Sequence, residues 1–363
     1  MEYVDRVGAL DNNEKEKPFM ELPRGVLIDR DAVPRVGEVC RKFHLSGTGL
    51  IVCDRITRKI AGEAVRESLD GRGFETEIIE IEGATDHSTD IVREFVKEQG
   101  NFFLLGVGGG RAIDVAKYVA YVEDLEFISI PTAASHDGIA SSRASIEMDG
   151  RKKSIMAKAP LGVIADVGII AESPYRLLAS GCADIISNCT AVMDWKLAHR
   201  LKDVPFSEYA ASLSEMTAKL LMDRAEDIRA SLPESVRIVL KALVSSSVAM
   251  SIAGSSRPAS GSEHMFAHAL DAVAERPALH GEETGVGTIM MMYLHGGDWK
   301  RIRDSLLTIG APVDAKSLGV SDEEVIQALL MAHRIRPERY TILGSGLEEK
   351  AAWKIARTTQ VID

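Results

Sequence analysis

Almost every stretch of this 363-residue chain that is able to form a strand lies before residue 170, and beyond that point apolar residues recur at helical spacing instead. In the first part, the compact apolar runs GTGLIVCD, FETEIIEI, NFFLLGVG, EFISIP and GVIAD alternate with helical patterns near 56–72, 88–99 and GGGRAIDVAKYVAY. That alternation predicts βαβ units on a parallel sheet. An Asp149-Gly150 pair inside MDGRKK predicts a hairpin turn. From Ser173-Pro174, an N-cap and a first-turn proline, the segments 174–201, 206–231, 234–254, 259–275, 281–296 and 321–334 read as helices. The length exceeds that of a typical single core, so two units are expected: 1–172, α/β, and 173–363, all-α.

Composition narrows the function classes. The net charge of −11 argues against a nucleic-acid binder, which needs a basic face to displace counterions from phosphates. The opening MEYVDRVGALDNNEKEKPF is acidic and lacks the apolar stretch of a secretory leader, and no apolar run of eighteen residues is read, so neither export nor a transmembrane segment is expected and the cytoplasm is the default. Cys40, Cys53, Cys182 and Cys189 show no CxxC spacing and read as buried thiols of a reducing compartment.

Three places carry chemistry. In FLLGVGGGRAIDVAK a strand runs through Gly108, Gly109 and Gly110 into a helix, so backbone N–H groups can approach a pyrophosphate closely. Arg111 stands where GxGxxG, counted from Gly106 and Gly108, needs its last glycine; the turn is thus either a phosphate cradle of another pattern or purely geometric. Asp54 ends a strand, where a carboxylate either accepts ribose hydroxyls or caps the next helix. The loop after EFISIP offers Thr132, Ser135, His136, Asp137 and Ser141 at a strand's carboxyl end, either as ligand contacts or as capping residues.

The third place is SGSEHMFAHALDAVAERPALHGEETG, which holds His264, His268 and His280 of the chain's nine histidines. His264 and His268 are four apart on one helix face, and Pro277 separates them from His280. The cluster reads either as nitrogen ligands of a divalent cation such as zinc or ferrous iron, or as hydrogen-bonded and surface imidazoles. Asp184 is the one charged residue between Arg176 and Asp194, and a carboxylate buried there needs a cation or a capping role to offset its desolvation.

These residues together resemble a superfamily over nearly the whole chain. GGGRAIDVAK resembles the GGGSxxDxAK segment of the iron-dependent alcohol dehydrogenase, glycerol dehydrogenase and dehydroquinate synthase superfamily. PTAASHDGIASS, the isolated Asp184 and HxxxH followed by HGE occur in that superfamily's order. With Arg111 in place of the usual serine and with GSSRPASGSEHMFAHALD, the chain looks like the sn-glycerol-1-phosphate dehydrogenase group, which makes the glycerophosphate backbone of archaeal lipids.

The resemblance implies a Rossmann-like N-terminal domain with a parallel sheet, an all-α C-terminal domain and an active site in the cleft between them. It implies one divalent metal, zinc by preference, on Asp184, His264 and His280, with Asp184 counted among the catalytic residues. It implies substrate contacts from Asp137 and His268, and NAD or NADP held by Asp54, Gly108, Gly109, Gly110, Arg111, Asp114, Thr132, Ser135 and Ser141. The implied substrate pair is dihydroxyacetone phosphate and sn-glycerol 1-phosphate, with His268 or a water it holds supplying the proton because an imidazole titrates near working pH. Arg257, Lys153 and Lys158 are the candidates for the substrate phosphate, and a homo-oligomer is expected. The rival readings are a metal-dependent dehydrogenase of unphosphorylated glycerol, a dehydroquinate synthase-like lyase, and a nucleotide-binding protein with a structural metal.

Overall fold

In the computed structural model, which describes residues 20–230 and 232–363, the first half alternates as the apolar runs dictate. The acidic opening segment and residue 231 lie outside the described residues, and the helix expected over 206–231 ends at Asp223, followed by a 3-10 turn at Ala225–Asp227. Strand β1 (Gly25–Asp29) is followed by α1 (Val36–Lys42), β2 (Thr48–Cys53), α2 (Glu63–Asp70), β3 (Thr76–Glu80), α3 (Asp86–Gln99), β4 (Phe102–Gly108), α4 (Gly110–Val122), β5 (Phe127–Pro131), the hairpin β6 (Arg143–Met148) and β7 (Arg151–Met156), and β8 (Gly162–Asp166).

Six strands form one sheet in the order β1-β8-β5-β4-β2-β3, every neighbouring pair parallel. The central strand β4, FFLLGVG, is buried at every position because helices cover both faces; that is why it reads as an unbroken apolar run. The chain leaves β2 outward to β3 and returns on the other side of β2 as β4. This reversal opens a crevice at the carboxyl ends of β2 and β4, where open α/β sheets bind ligands. The hairpin turns at Asp149 and Gly150, both with positive φ (54° and 71°), as the Asp-Gly pair predicts.

After β8 come α5 (Val167–Ala171), α6 (Tyr175–Ile186), α7 (Asn188–Lys202), α8 (Glu208–Asp223), α9 (Pro233–Ala253), α10 (Ser262–Val273), α11 (His280–Leu294), α12 (Trp299–Ile309), α13 (Asp322–Met331) and α14 (Glu349–Thr358). The single helix expected over 174–201 is two helices, because Ser187 turns the chain with its hydroxyl bonded to the Asp184 carbonyl at 2.6 Å. The sequence reading does not include α12 and α14. Among the described helices, α9, with mean hydropathy 1.6, has the length and composition to cross a membrane. It instead carries Arg237 and Lys241 and buries Val236, Val239, Leu240 and Leu243 within the protein core. One apolar core runs from β2 and β4 through α4 into α6, α9, α10 and α11; a second fills the sheet's other face around Cys40, Val65, Phe103 and Ile128.

Candidate active site

Three helices bring one donor each to a common point. Asp184 lies near the end of α6, His264 in the first turn of α10, and His280 starts α11. The residue after His280 is glycine because α11 presses against α6: a Cβ at Gly281 would sit 2.0 Å from the Ser180 carbonyl oxygen. Asp184 Oδ1 lies 3.6 Å from His264 Nε2 and 4.0 Å from His280 Nε2. These separations suit a shared ion, since donors about 2.1 Å from a tetrahedral centre stand roughly 3.4 Å apart.

The polar bookkeeping points the same way. Asp184 is 2% exposed and its Oδ2 accepts from the Asp137 N–H at 2.9 Å, but Oδ1 is buried with no hydrogen-bond partner. Burial, then the neighbouring Asp137, push the Asp184 carboxyl up to about 7. The His264 imidazole goes up: burial opposes its charged form, but the hydrogen bond to Glu263 and the charges of Glu263, Asp184 and Asp137 outweigh it. His264 Nδ1–H donates to Glu263 Oε1 at 3.0 Å, which fixes the tautomer and leaves Nε2 aimed at Asp184. Glu263 is itself held by the Gly261 N–H (2.6 Å) and the Thr190 hydroxyl (2.8 Å). An acid facing two imidazole nitrogens, with one orphaned oxygen, fits a divalent cation.

His268 stands beside this triad without joining it. Its ring stacks on that of His280, centroids 5.5 Å apart. Burial, then Arg336, His264, Lys152 and Arg339, push its pKa down to about 3. The surroundings of His268 run against the expectation of an imidazole titrating near working pH: desolvation first, then the nearby Arg336 and Lys152, favour the neutral ring. Asp137 is fixed on both sides, its Oδ2 accepting from the Ser246 hydroxyl at 2.9 Å and its carbonyl from the Ser247 hydroxyl.

The glycine turn sits at the sheet's crevice. Gly108 has φ 155°, and a Cβ there would meet Ala112 Cβ at 3.0 Å and Thr57 Oγ1 at 3.1 Å, so the turn requires glycine. At Gly109 nothing lies within 4 Å of where a Cβ would be, and no side chain caps α4, which leaves its first N–H groups facing that space. Across the crevice, Asp54 caps the turn after β2 through Oδ1 (Ile56 N–H 2.9 Å, Thr57 N–H 2.8 Å), while Oδ2 lies 3.9 Å from the largely exposed Arg111. The open cradle and a helix N-terminus suit the pyrophosphate of a dinucleotide.

Other residues assigned to the dinucleotide stand differently. Asp114 is buried and both its oxygens are engaged, Oδ1 by Lys117 Nζ at 3.2 Å and Oδ2 by the Ser145 N–H at 3.0 Å. Asp114 thereby anchors β6 to α4. Thr132 and Ser141 are buried along the loop after β5, Thr132 N–H bonding the Gly108 carbonyl at 3.0 Å, and the Ser135 carbonyl accepts from Ser180 at 3.2 Å.

Residues 27–174 match the family described as iron-containing alcohol dehydrogenase. Over 96% of this chain and 97% of the other, the sequence is 57% identical to a glycerol-1-phosphate dehydrogenase, NAD(P)+, of Methanococcoides burtonii. The chain belongs to the glycerol-1-phosphate dehydrogenase family. A second family member, from Methanosarcina acetivorans, is 54% identical over 96% of this chain and 98% of that one. Among solved structures, glycerol dehydrogenase from Schizosaccharomyces pombe superimposes with a TM-score of 0.78 over 96% of this chain and 92% of that one, at 21% identity, which shows a shared fold.

For this family member, His136 of the expected loop and two residues beyond the expected set line the same region. His136 accepts from the Gly138 N–H through Nδ1 at 2.9 Å and lays its ring against Gly110. Arg336 and Arg339 reach the loop before α10, donating to Ser256 Oγ at 3.5 and 3.0 Å. In sequence they belong to RIRPERY, a charged run that reads as a solvated face. Of the phosphate candidates, Arg257 is buried, whereas Lys153 pairs with Asp149 (3.2 Å) at the hairpin tip and Lys158 pairs with Asp124 (3.5 Å).

Proposed function

We propose that this chain reduces dihydroxyacetone phosphate to sn-glycerol 1-phosphate with NADH or NADPH, an entry to the glycerophosphate backbone of archaeal lipids. Two consecutive residues carry the reading: His136 touches the glycine turn at Gly110 while the Asp137 N–H touches Asp184. A dinucleotide on the turn and a cation on the triad would thus share one cleft. When bound, the reduced nicotinamide supplies the hydride, and the divalent ion, zinc by the donor set, supplies Lewis acidity toward a ketone oxygen.

The chain's own residues do the rest. Asp184, His264 and His280 hold the ion, and Glu263 keeps His264 in the ligating tautomer. Asp137, clamped by Ser246 and Ser247, borders the substrate. His268, neutral, orients a substrate hydroxyl or the water through which the proton arrives. The turn Gly108–Gly110 and Asp54 hold the dinucleotide, and Arg111 next to Asp54 offers a cation to a 2′-phosphate, which favours acceptance of both cofactors. We place the division between a nucleotide-binding unit, 1–172, and a helical unit, 173–363, at this cleft. A cytoplasmic homo-oligomer belongs to the same proposal; Tyr209, Met216 and Leu220, exposed along one face of α8, support assembly.

The test is loss of NADH absorbance with dihydroxyacetone phosphate, with and without chelator, and the reverse reaction with glycerol, glycerol 1-phosphate and glycerol 3-phosphate. His264→Ala is expected to lose bound metal and activity together, and His268→Ala to keep the metal while turnover falls. Stoichiometric metal in His264→Ala, or preference for unphosphorylated glycerol, would overturn the assignment.

A further inference from the structure

A carboxylate outside the triad joins the helices that carry it. Asp194 lies on α7, which follows Asp184 across the turn at Ser187, and it is 2% exposed. Its Oδ2 accepts from the Ser262 N–H at 2.7 Å and from the Ser262 hydroxyl, both at the start of α10. Its Oδ1 accepts from the Ile342 N–H at 2.7 Å and lies 3.1 Å from Nε2 of His295, the residue directly after α11. An ionised carboxylate only accepts, so His295 Nε2 carries a hydrogen toward it. Four donors thus fill the four acceptor directions of one buried side chain.

The sequence at the start of α10 is built for this grip. Gly261, its N-cap, has no side chain to offer, so the first N–H groups of the helix need an acceptor from elsewhere. Helix α7 supplies one, and negative charge is favoured at that end of a helix. A Cβ at Gly261 would stand 2.7 Å from Asp194 Oδ2 and 2.9 Å from Ala191 Cα, so glycine is what lets α7 come this close. Thr190, four residues before Asp194 and on the same face of α7, donates to Glu263 Oε2 at 2.8 Å. Two consecutive residues of α10 are therefore held by two residues of α7, and the next residue is His264.

The separations within the triad depend on that grip. His264 projects from the first turn of α10, so a tilt or slide of this end moves its Nε2 relative to Asp184 Oδ1, 3.6 Å away. Helix α11 opens with His280 and closes at the His295 anchor, which limits how far His280 can slide along the helix axis. An asparagine at 194 has nearly the same shape but cannot do the same work. One of its two terminal atoms is an NH2 group, which faces donors whichever way the amide is turned.

We propose that Asp194 is a positioning residue for the metal site, setting the affinity and geometry of the triad by fixing the ends of α10 and α11 without touching the ion. This rests on the reading of Asp184, His264 and His280 as ligands of a divalent cation.

The test reads cobalt(II) binding to the full chain after removal of other metals, because the visible bands of cobalt report coordination geometry. The variants are Asp194→Asn and Ser262→Ala, with His264→Ala to check the ligands. Leu69→Ala, a cavity made on α2 in the core on the sheet's other face, is the control for lost stability alone. Folded Asp194→Asn is expected to bind cobalt about ten-fold more weakly, with altered visible bands. Ser262→Ala, which keeps its N–H bond to Asp194, shifts both in the same direction by less. Leu69→Ala lowers Tm and leaves affinity and bands native. Native affinity and bands in folded Asp194→Asn would overturn the proposal, as would an equal change in Leu69→Ala. If Asp194→Asn does not fold, Ser262→Ala decides in its place, and a native result there overturns the proposal. Stoichiometric cobalt in His264→Ala is a different failure: it sinks the ligand assignment itself, and this inference with it.

Discussion

Asp184 should make the metal-free protein less stable than it need be, and replacing it by asparagine should expose that cost. Its carboxyl is carried from an ordinary 3.8 to about 7 by burial and by Asp137. At about 1.4 kcal/mol per pH unit, holding it ionised in the fold costs on the order of 4 kcal/mol. A group whose folded pKa is raised destabilises the fold above its unfolded pKa, and the penalty grows until pH passes the folded value. The penalty is thus absent below about pH 4 and complete above about pH 7. In Asp184→Asn the amide can keep the bond from the Asp137 N–H and turn its own donors toward the two imidazoles, so imperfect pairing returns about 1–3 kcal/mol. The chelator-treated variant should therefore be more stable than chelator-treated native protein by about 1–3 kcal/mol near pH 8, and the gain should vanish on acidification. Zinc should reverse the order, because only the native triad gains binding free energy, about 2.7 kcal/mol at a hundred times the dissociation constant. Urea unfolding with and without zinc across this pH range measures both effects. A metal-free Asp184→Asn less stable than native protein at pH 8, or equal stabilisation of both by zinc, would refute the reasoning.

Glu263→Gln should lower zinc affinity about 10–100-fold, measured by competition with a chromophoric chelator, because the carboxylate that fixes the His264 tautomer is lost; unchanged affinity would show that His264 is aimed without it. Lys117→Met should cost about 3–5 kcal/mol, lowering Tm by roughly 4–7 °C at this chain length. The fully buried Lys117 Nζ bonds Asp114 Oδ1, the Gly138 carbonyl (2.5 Å) and the Arg143 carbonyl (2.7 Å), and methionine satisfies none of them. Unfolding within 1 kcal/mol of the native protein would mean those groups find other partners.

What the sequence made legible was set locally. A short unbroken apolar run such as FFLLGVG, set between helical patterns, reads as a doubly covered strand, and Asp149-Gly150 can adopt the two positive φ angles of a tight hairpin. Asp184 stood out because a lone charge in an apolar helix needs a reason. What stayed hidden depends on packing between distant segments. The break at Ser187 comes from one hydroxyl bonding back to the Asp184 carbonyl, and the engagement of Asp114 from a lysine three residues on meeting the hairpin. The lowered pKa of His268 comes first from desolvation in the packed fold and then from Arg336, sixty-eight positions later in the chain. RIRPERY has the composition of a surface run, and nothing in it announces that two of its arginines turn inward to Ser256.

The strap His136–Asp137 links the proposed dinucleotide and cation sites through a single peptide unit. Reciprocity then applies: whatever factor a dinucleotide at Gly110 imposes on cation affinity at Asp184, through that unit, the cation must return on the dinucleotide. A peptide clamped at its far end by Ser246 and Ser247 has little slack to absorb a shift at either end. Filling one site thus presets the geometry of the other, and the order in which the two are loaded becomes a property of the backbone.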